Sequence, residues 1–150
     1  NPKVFSLTDE LARMVGNMAL PKGVVTTEFA PNLPQVFGDP RQLEQVFNNL
    51  VKNAWEAMDG RPEAHIHVMV KRDSDPAFLL ATVRDNGPGI PDERKAHLFE
   101  LLQTTKQQGM GLGLWLSRYI VERHGGTIAL LERHTPGACF VVKLPCQKAA

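Results

Sequence analysis

The chain has 150 residues, 43% of them hydrophobic, which is enough to bury one sizeable core. Seventeen basic against sixteen acidic residues leave a net charge of +1. No overall field therefore draws in nucleic acid or an anionic membrane, and no apolar run reads as a membrane span or a secretion signal. Cys139 and Cys146 lack metal-like spacing and read as ordinary thiols of a reducing compartment.

Ser6 with Asp9 reads as a capped helix start, after which Leu7, Leu11, Met14, Val15 and Met18 repeat on one face as far as Pro21. Val24 to Phe29 is short, β-branched and bounded by Lys22-Gly23 and Pro31, the pattern of a strand. Asp39-Pro40 opens a second helix, the carboxylate capping it and the proline taking its first turn. Leu43, Val46, Phe47, Leu50, Val51, Ala54 and Met58 then fall on one face, and Gly60 ends the run. Gln42, Gln45, Asn49, Asn53 and Glu56 collect on the adjoining flank. Asparagine is a poor helix former, so two of them one turn apart look less like surface filler than lysine or glutamate would.

His65 to Lys71 alternates as a half-buried strand, with Ile66, Val68 and Val70 on one side. Phe78 to Arg84 forms the second arm of a hairpin, and Asp85 ends it on the same side as Leu79, Ala81 and Val83. That carboxylate lies at the mouth of an apolar layer, where a charge demands a partner. Asp85-Asn86-Gly87-Pro88-Gly89-Ile90 is a glycine turn, followed by a short helix from Pro91 to about Phe99. The segment from Leu101 to Gln108 has no clear periodicity and is expected to be a mobile loop. Gly109, Gly111 and Gly113 alternate directly before a helix carrying Leu112, Leu116, Tyr119, Ile120 and Arg123, which Gly125 and Gly126 stop. A glycine loop opening into a helix N-terminus suits phosphate, although either glycine turn alone is equally a plain turn. Thr127 to Arg133 and Ala138 to Leu144 make a final hairpin. Three main helices and five strands, mostly in hairpins, fit an α/β two-layer sandwich: one mixed five-stranded sheet with the helices packed on one face.

In order, the chain thus presents an asparagine-bearing helix, Asp-Asn-Gly-Pro-Gly, a Phe-containing segment with a Thr-Thr-Lys loop, and Gly-Met-Gly-Leu-Gly-Leu opening a helix. Together these resemble the ATP-binding catalytic domain of bacterial sensor histidine kinases, which share the Bergerat nucleotide-binding fold with gyrase, a heat-shock chaperone and mismatch-repair ATPases. The resemblance runs from about Asp39 to Pro145, and implies ATP and Mg²⁺ as ligands. Asn49-Leu-Val-Lys-Asn53-Ala54 matches the family's N box, which makes Asn53 the Mg²⁺ ligand. Asp85, with Gly87, Gly89 and Ile90, matches the first glycine box, whose aspartate accepts a hydrogen bond from the adenine amino group. Phe99 matches the F box; Thr104, Thr105 and Lys106 match the lid, where the lysine meets the terminal phosphates. Gly109, Gly111, Leu112, Gly113 and Leu114 match the second glycine box beneath the phosphates.

Some positions depart from the family pattern. Leu101-Leu102 replaces the usual Pro-Phe, Gln103 precedes the threonines, His97 replaces an arginine, and Ala138 replaces a threonine, which removes one hydroxyl from the adenine side. At Asn49 the gyrase-like and chaperone-like ATPases carry a glutamate that activates water. An amide there implies that the γ-phosphate is kept for a nucleophile from another domain, with Asn49, Asn53 and Lys106 as the catalytic set. None of His65, His67, His97, His124 and His134 has the context of a phosphoacceptor.

The expectation is therefore a single catalytic domain over residues 1–150, a fragment of a longer cytoplasmic or membrane-anchored kinase, since it begins with Asn1 rather than Met. Its implied partners are an upstream phosphoacceptor dimerisation domain and a response regulator, with a dimeric parent, a monomeric fragment, and no direct contact with nucleic acid or membrane. Two alternatives stay open at this point: a nucleotide-sensing module without transfer, and a serine kinase of the anti-sigma type.

Overall fold

The computed structural model describes residues 1–100, 111–131 and 136–147. In chain order its elements are β1 (Lys3–Phe5), α1 (Leu7–Asn17), β2 (Val25–Phe29), β3 (Val36–Gly38), α2 (Pro40–Met58), β4 (Ile66–Arg72), β5 (Phe78–Asp85), α3 (Asp92–Lys95), α4 (Gly111–Arg123), β6 (Thr127–Leu130) and β7 (Cys139–Pro145). Five strands form one mixed sheet in the order β2-β4-β5-β7-β6. Only β2 and β4 run parallel, since α2 lies in the connection between them; the other neighbours are antiparallel.

Helix α2 lies at the centre, packing on β4 and β5 and against both α1 and α4. Its start is set by Asp39, whose carboxylate accepts from the N–H groups of Arg41 (3.0 Å) and Gln42 (3.4 Å), with Pro40 in the first turn. Its apolar stripe of Leu43, Val46, Phe47, Leu50 and Val51 is wholly buried. It forms one core with the inward residues of the strands: Ile66, Val68 and Val70 of β4, Leu79, Ala81 and Val83 of β5, and Phe140, Val142 and Leu144 of β7. Each such side chain contributes roughly 1.5–3 kcal/mol by leaving water. The cap on α1 also forms as expected, Asp9 N–H donating to Ser6 Oγ at 3.2 Å. Among the described residues no helix is long and apolar enough to cross a membrane.

Several boundaries differ from expectation. Helix α1 stops at Asn17 rather than continuing to Pro21, with Gly16 and Asn17 closing its last turn. Helix α3 covers only Asp92–Lys95 and gives way to turns before Phe99. At the end of α2, Asp59 already takes the left-handed conformation (φ 47°), one residue before Gly60. The final hairpin is described from Thr127 to Leu130 and from Cys139 to Pro145; Arg133 lies outside the described residues. Cys139 and Cys146 sit at opposite ends of β7, too far apart for a disulfide.

The two-stranded sheet of β1 and β3 was not expected. It pairs Phe5 with Val36, both buried, and Val4 with Phe37, both exposed. Beside it, His124 joins the far end of α4 to the start of α2. Its Nε2 accepts from Asp39 N–H at 3.1 Å, so the ring proton is on Nδ1, which donates to the Ile120 carbonyl at 2.8 Å. Gly38 makes room for the ring: a Cβ at that position would overlap His124 Cδ2 and Nε2.

His124→Ala removes two hydrogen bonds and the ring's packing, while Gly38→Ala pushes the ring off its acceptor position. Each should cost about 1–3 kcal/mol. Urea denaturation should show a lowered midpoint with an unchanged slope in both variants. Unaltered midpoints would show that the α4–α2 junction is held by other contacts.

Candidate functional site

Alternation along β5 carries Asp85 to the helix-covered side of the sheet, where it is 8% exposed. A buried carboxylate is tolerated only with donors, and two backbone donors meet Asp85 Oδ1: the N–H of Gly87 at 2.8 Å and that of Ala138 at 3.2 Å. The Asp85 N–H donates in turn to the Ala138 carbonyl at 2.9 Å. This reciprocal pairing needs the two chains to cross very closely. Gly137 (φ 99°) allows it, because a Cβ there would run into the Asp85 carbonyl; Gly89 (φ 81°) passes on the other side, where a Cβ would stand 3.2 Å from the Gly137 carbonyl.

A cavity beside this crossing is lined by Asn53, Ala54 and Ala57 of α2, by Asp85, Gly89 and Ile90, and by Ala138 and Phe140. Asn53 is 7% exposed, and its Nδ2 has no hydrogen-bond partner among the described residues. An unsatisfied buried amide costs about 1–3 kcal/mol, so the group is poised for a ligand that the protein itself does not supply. Rotating the amide offers either a donor or an oxygen to that ligand. Asn49, one turn earlier on the same flank, is half-buried and abuts the first turn of α4, its carboxamide 3.8 Å from where a Cβ on Gly113 would lie.

Among the described residues no cluster of three or more His, Cys, Asp or Glu is placed to hold a metal ion. The residues fit a hard cation in another way: Asn53 offers a neutral amide oxygen, and a bound polyphosphate brings the anionic ligands. The helix opening expected at the second glycine box is present at Gly111, and Leu114 is buried in the core. Gly113 is not among the residues with positive φ, and a Cβ there would make only ordinary contact. Neither backbone strain nor internal packing requires glycine at that position. Phe99 packs edge-on against Phe140 (centroids 6.2 Å apart) beneath the Arg118 guanidinium at 6.0 Å. Gly87 is buried against Met58.

The structure thus brings Asn53, Asp85, Gly89 and Ile90 together, with Asn49 and Gly113 in contact nearby. Thr104, Thr105, Lys106 and Gly109 lie outside the described residues, as does most of the expected mobile loop. Of Gly111 and Leu112 only the backbone, in the first turn of α4, is described. Sequence reasoning missed the Ala138 N–H, because a backbone donor has no residue signature; only the turn glycine at 137 hinted at it. It also missed Ala57 and Phe140 as walls. The histidines are dispersed: His65 and His67 share the Thr26 hydroxyl (2.9 and 2.8 Å), His67 reaches Glu28 (3.0 Å), and His97 pairs with Glu100 (2.7 Å). His134 lies outside the described residues.

Comparison with known proteins gives a consistent picture. The family described as histidine kinase-, DNA gyrase B-, and HSP90-like ATPase matches residues 38–148. The chain is 35% identical to the sensory histidine kinase/phosphatase NtrB of Rhizobium leguminosarum bv. phaseoli, over 98% of its own length and 41% of that protein's. It is 37% identical to sporulation kinase E of Bacillus subtilis, over 79% of its own length and 16% of that protein's. It therefore spans less than half the length of these relatives. Among solved structures, the nucleotide-free catalytic domain of histidine kinase ThkA superposes with a TM-score of 0.79 at 30% identity, covering 97% of this chain and 96% of that one.

Gly137→Ala tests the crossing. It should separate β7 from the end of β5, break the Ala138 N–H to Asp85 bond and destabilise the fold by about 1–3 kcal/mol. Hydrogen exchange at the Ala138 and Gly87 amides should accelerate selectively. Unchanged exchange there would mean that the crossing tolerates a side chain.

Proposed function

The chain belongs to the histidine kinase-, DNA gyrase B-, and HSP90-like ATPase family, and from this premise we propose that it binds ATP with Mg²⁺ and presents the γ-phosphate to a histidine carried elsewhere in a longer protein. A response-regulator aspartate then receives the phosphate. The observation that carries the reading is Asp85, a carboxylate fixed by two N–H donors in the wall of a pocket that also holds an unsatisfied asparagine.

On this reading Asp85 accepts the adenine amino proton, which a guanine base lacks at that position. Ile90, Ala54, Ala57 and Phe140 supply apolar walls for the base. The hydroxyl missing at Ala138 leaves its backbone N–H as that residue's polar contribution, through Asp85. Asn53 is the residue that would hold Mg²⁺, which, when bound, neutralises charge on the phosphates. Asn49, beside the opening turn of α4, orients without abstracting a proton, because an amide is no base. Gly111 and Gly113, opening that helix, leave its N-terminal N–H groups accessible to phosphate oxygens. Lys106 adds positive charge at the terminal phosphates. With no general base for water, the γ-phosphate survives until the acceptor imidazole is brought in line.

Two measurements test this. Asp85→Ala should abolish measurable ATP and ADP binding by titration calorimetry while the circular dichroism of the fold persists, and unchanged affinity would remove Asp85 from the site. Asn53→Ala should weaken Mg²⁺-ATP binding, and transfer to an added phosphoacceptor domain, more than it weakens metal-free ADP binding. Equal losses with and without magnesium would reduce Asn53 to a shaping role. Incubation of the chain with labelled ATP and the phosphoacceptor domain should yield acid-labile phosphohistidine; bound nucleotide with no transfer would favour a sensing module.

A further inference from the structure

We propose that Asn86, whose side chain points away from the pocket into the lead of β4, is a positioning residue that sets how strictly the site separates adenine from guanine; this rests on the reading of Asp85 above. The last paired residues of the β4–β5 ladder are Ile66 and Asp85. One step further, Asn86 takes over the ladder's task with its side chain. Its Oδ1 accepts from His65 N–H at 2.8 Å, its Nδ2 donates to the Glu63 carbonyl at 2.8 Å, and its own N–H donates to the His65 carbonyl at 3.3 Å. The carboxamide thus satisfies one donor and one acceptor of a chain 21 to 23 residues away.

The effect is to hold the Asp85 turn from both sides. Ala138, just before β7, grips Asp85 on one flank through its N–H and carbonyl, and Asn86, the next residue, is tied to the opposite flank. Between the two, Gly87, Pro88 and Gly89 include two glycines, which have little stiffness of their own. Cutting the Asn86 side would loosen the turn beyond Asp85, which delivers the Gly87 N–H to the carboxylate. The ligand would then have to order the turn as it binds, which reduces affinity.

Selectivity should suffer more than affinity. A guanine places a carbonyl where adenine places its amino group, and a fixed carboxylate opposite it cannot avoid the repulsion. A carboxylate free to swing relaxes that contact, so the wrong base is rejected less. Asn86 is exposed, so water replaces its bonds to Glu63 and His65 when it is truncated, and global stability changes little.

The experiment measures displacement of a fluorescent ATP analogue by ATP, ADP and GTP from the whole chain and from Asn86→Ala, Asn86→Asp and Asp85→Asn. Asn86→Ala should bind ATP and ADP roughly tenfold more weakly, because the ligand must then order the loosened turn. GTP should weaken less or tighten, so the ATP:GTP ratio falls. Asn86→Asp keeps the acceptor for His65 N–H but sets an oxygen against the Glu63 carbonyl, and should give an intermediate ratio. A folded Asn86→Ala with wild-type affinities, or one that weakens all three nucleotides by the same factor, would overturn the positioning role. If Asp85→Asn leaves ATP affinity untouched, the adenine reading fails first and this inference falls with it; if Asp85→Asn loses ATP while Asn86→Ala keeps its ratio, the inference alone fails.

Discussion

A charged oxygen in the interior has to be met by donors, and around Asp85 that requirement organises a large share of the molecule. Its carboxylate is buried, and two of the N–H groups that meet it come from the turn just beyond it and from Ala138, immediately before β7. To deliver the second donor, β7 must reach the end of β5 within backbone contact, so residue 137 must be glycine. The same demand fixes the register of β5 against β7, in which Arg84 faces Cys139 and Val83 faces Phe140. Phe140 is thereby placed both in the core and in the wall of the cavity. Chemistry and architecture meet at one carboxylate. Removing it would leave two backbone donors without this acceptor and would take away the proposed adenine contact.

Helix α2 serves a second double purpose. The stripe that holds the core and the flank that carries Asn49 and Asn53 adjoin on one helix, so the asparagines are located as firmly as the buried residues beside them. Asn53 pays for its position with an amide nitrogen that has no partner among the described residues. Stability lost at such a site is recovered elsewhere in the same helix, through the Asp39 cap and the buried leucines and valines. This division lets a polar, partly unsatisfied group stand in a rigid frame rather than on a loop.

Long, periodic or capped segments were legible in the sequence. The 19-residue α2, with Asp39-Pro40 at its head, was read almost to the residue, as were the alternation of β4 and β5 and the inward direction of Asp85. Strands β1 and β3 were not, since three residues each carry too little pattern to show a period, and their pairing joins positions more than thirty residues apart. The parallel pairing of β2 with β4 also leaves no local trace, because it depends on where α2 sends the chain. In the candidate site, Asn49, Asn53 and Asp85 were singled out by the family resemblance more than by residue type, whereas the Ala138 N–H was invisible to a reading of side chains. At Gly113 the backbone is helical and a side chain would meet only ordinary contacts, so its absence has to be understood from what approaches from outside.

The His124 junction gives α4 a mechanical character. One end of the helix is fastened to the N-cap of α2 through a single imidazole, and the other end opens at the candidate phosphate site. Thirteen residues at 1.5 Å each make an arm of about 20 Å. Over an arm of that length, a tilt of about 3° about the His124 end would shift the opening turn by about 1 Å. The pivot also touches the residue that starts α2, the helix bearing Asn49 and Asn53. The far end of one helix and the base of the other therefore share a single post, so a change at His124 would be felt at both walls of the candidate site.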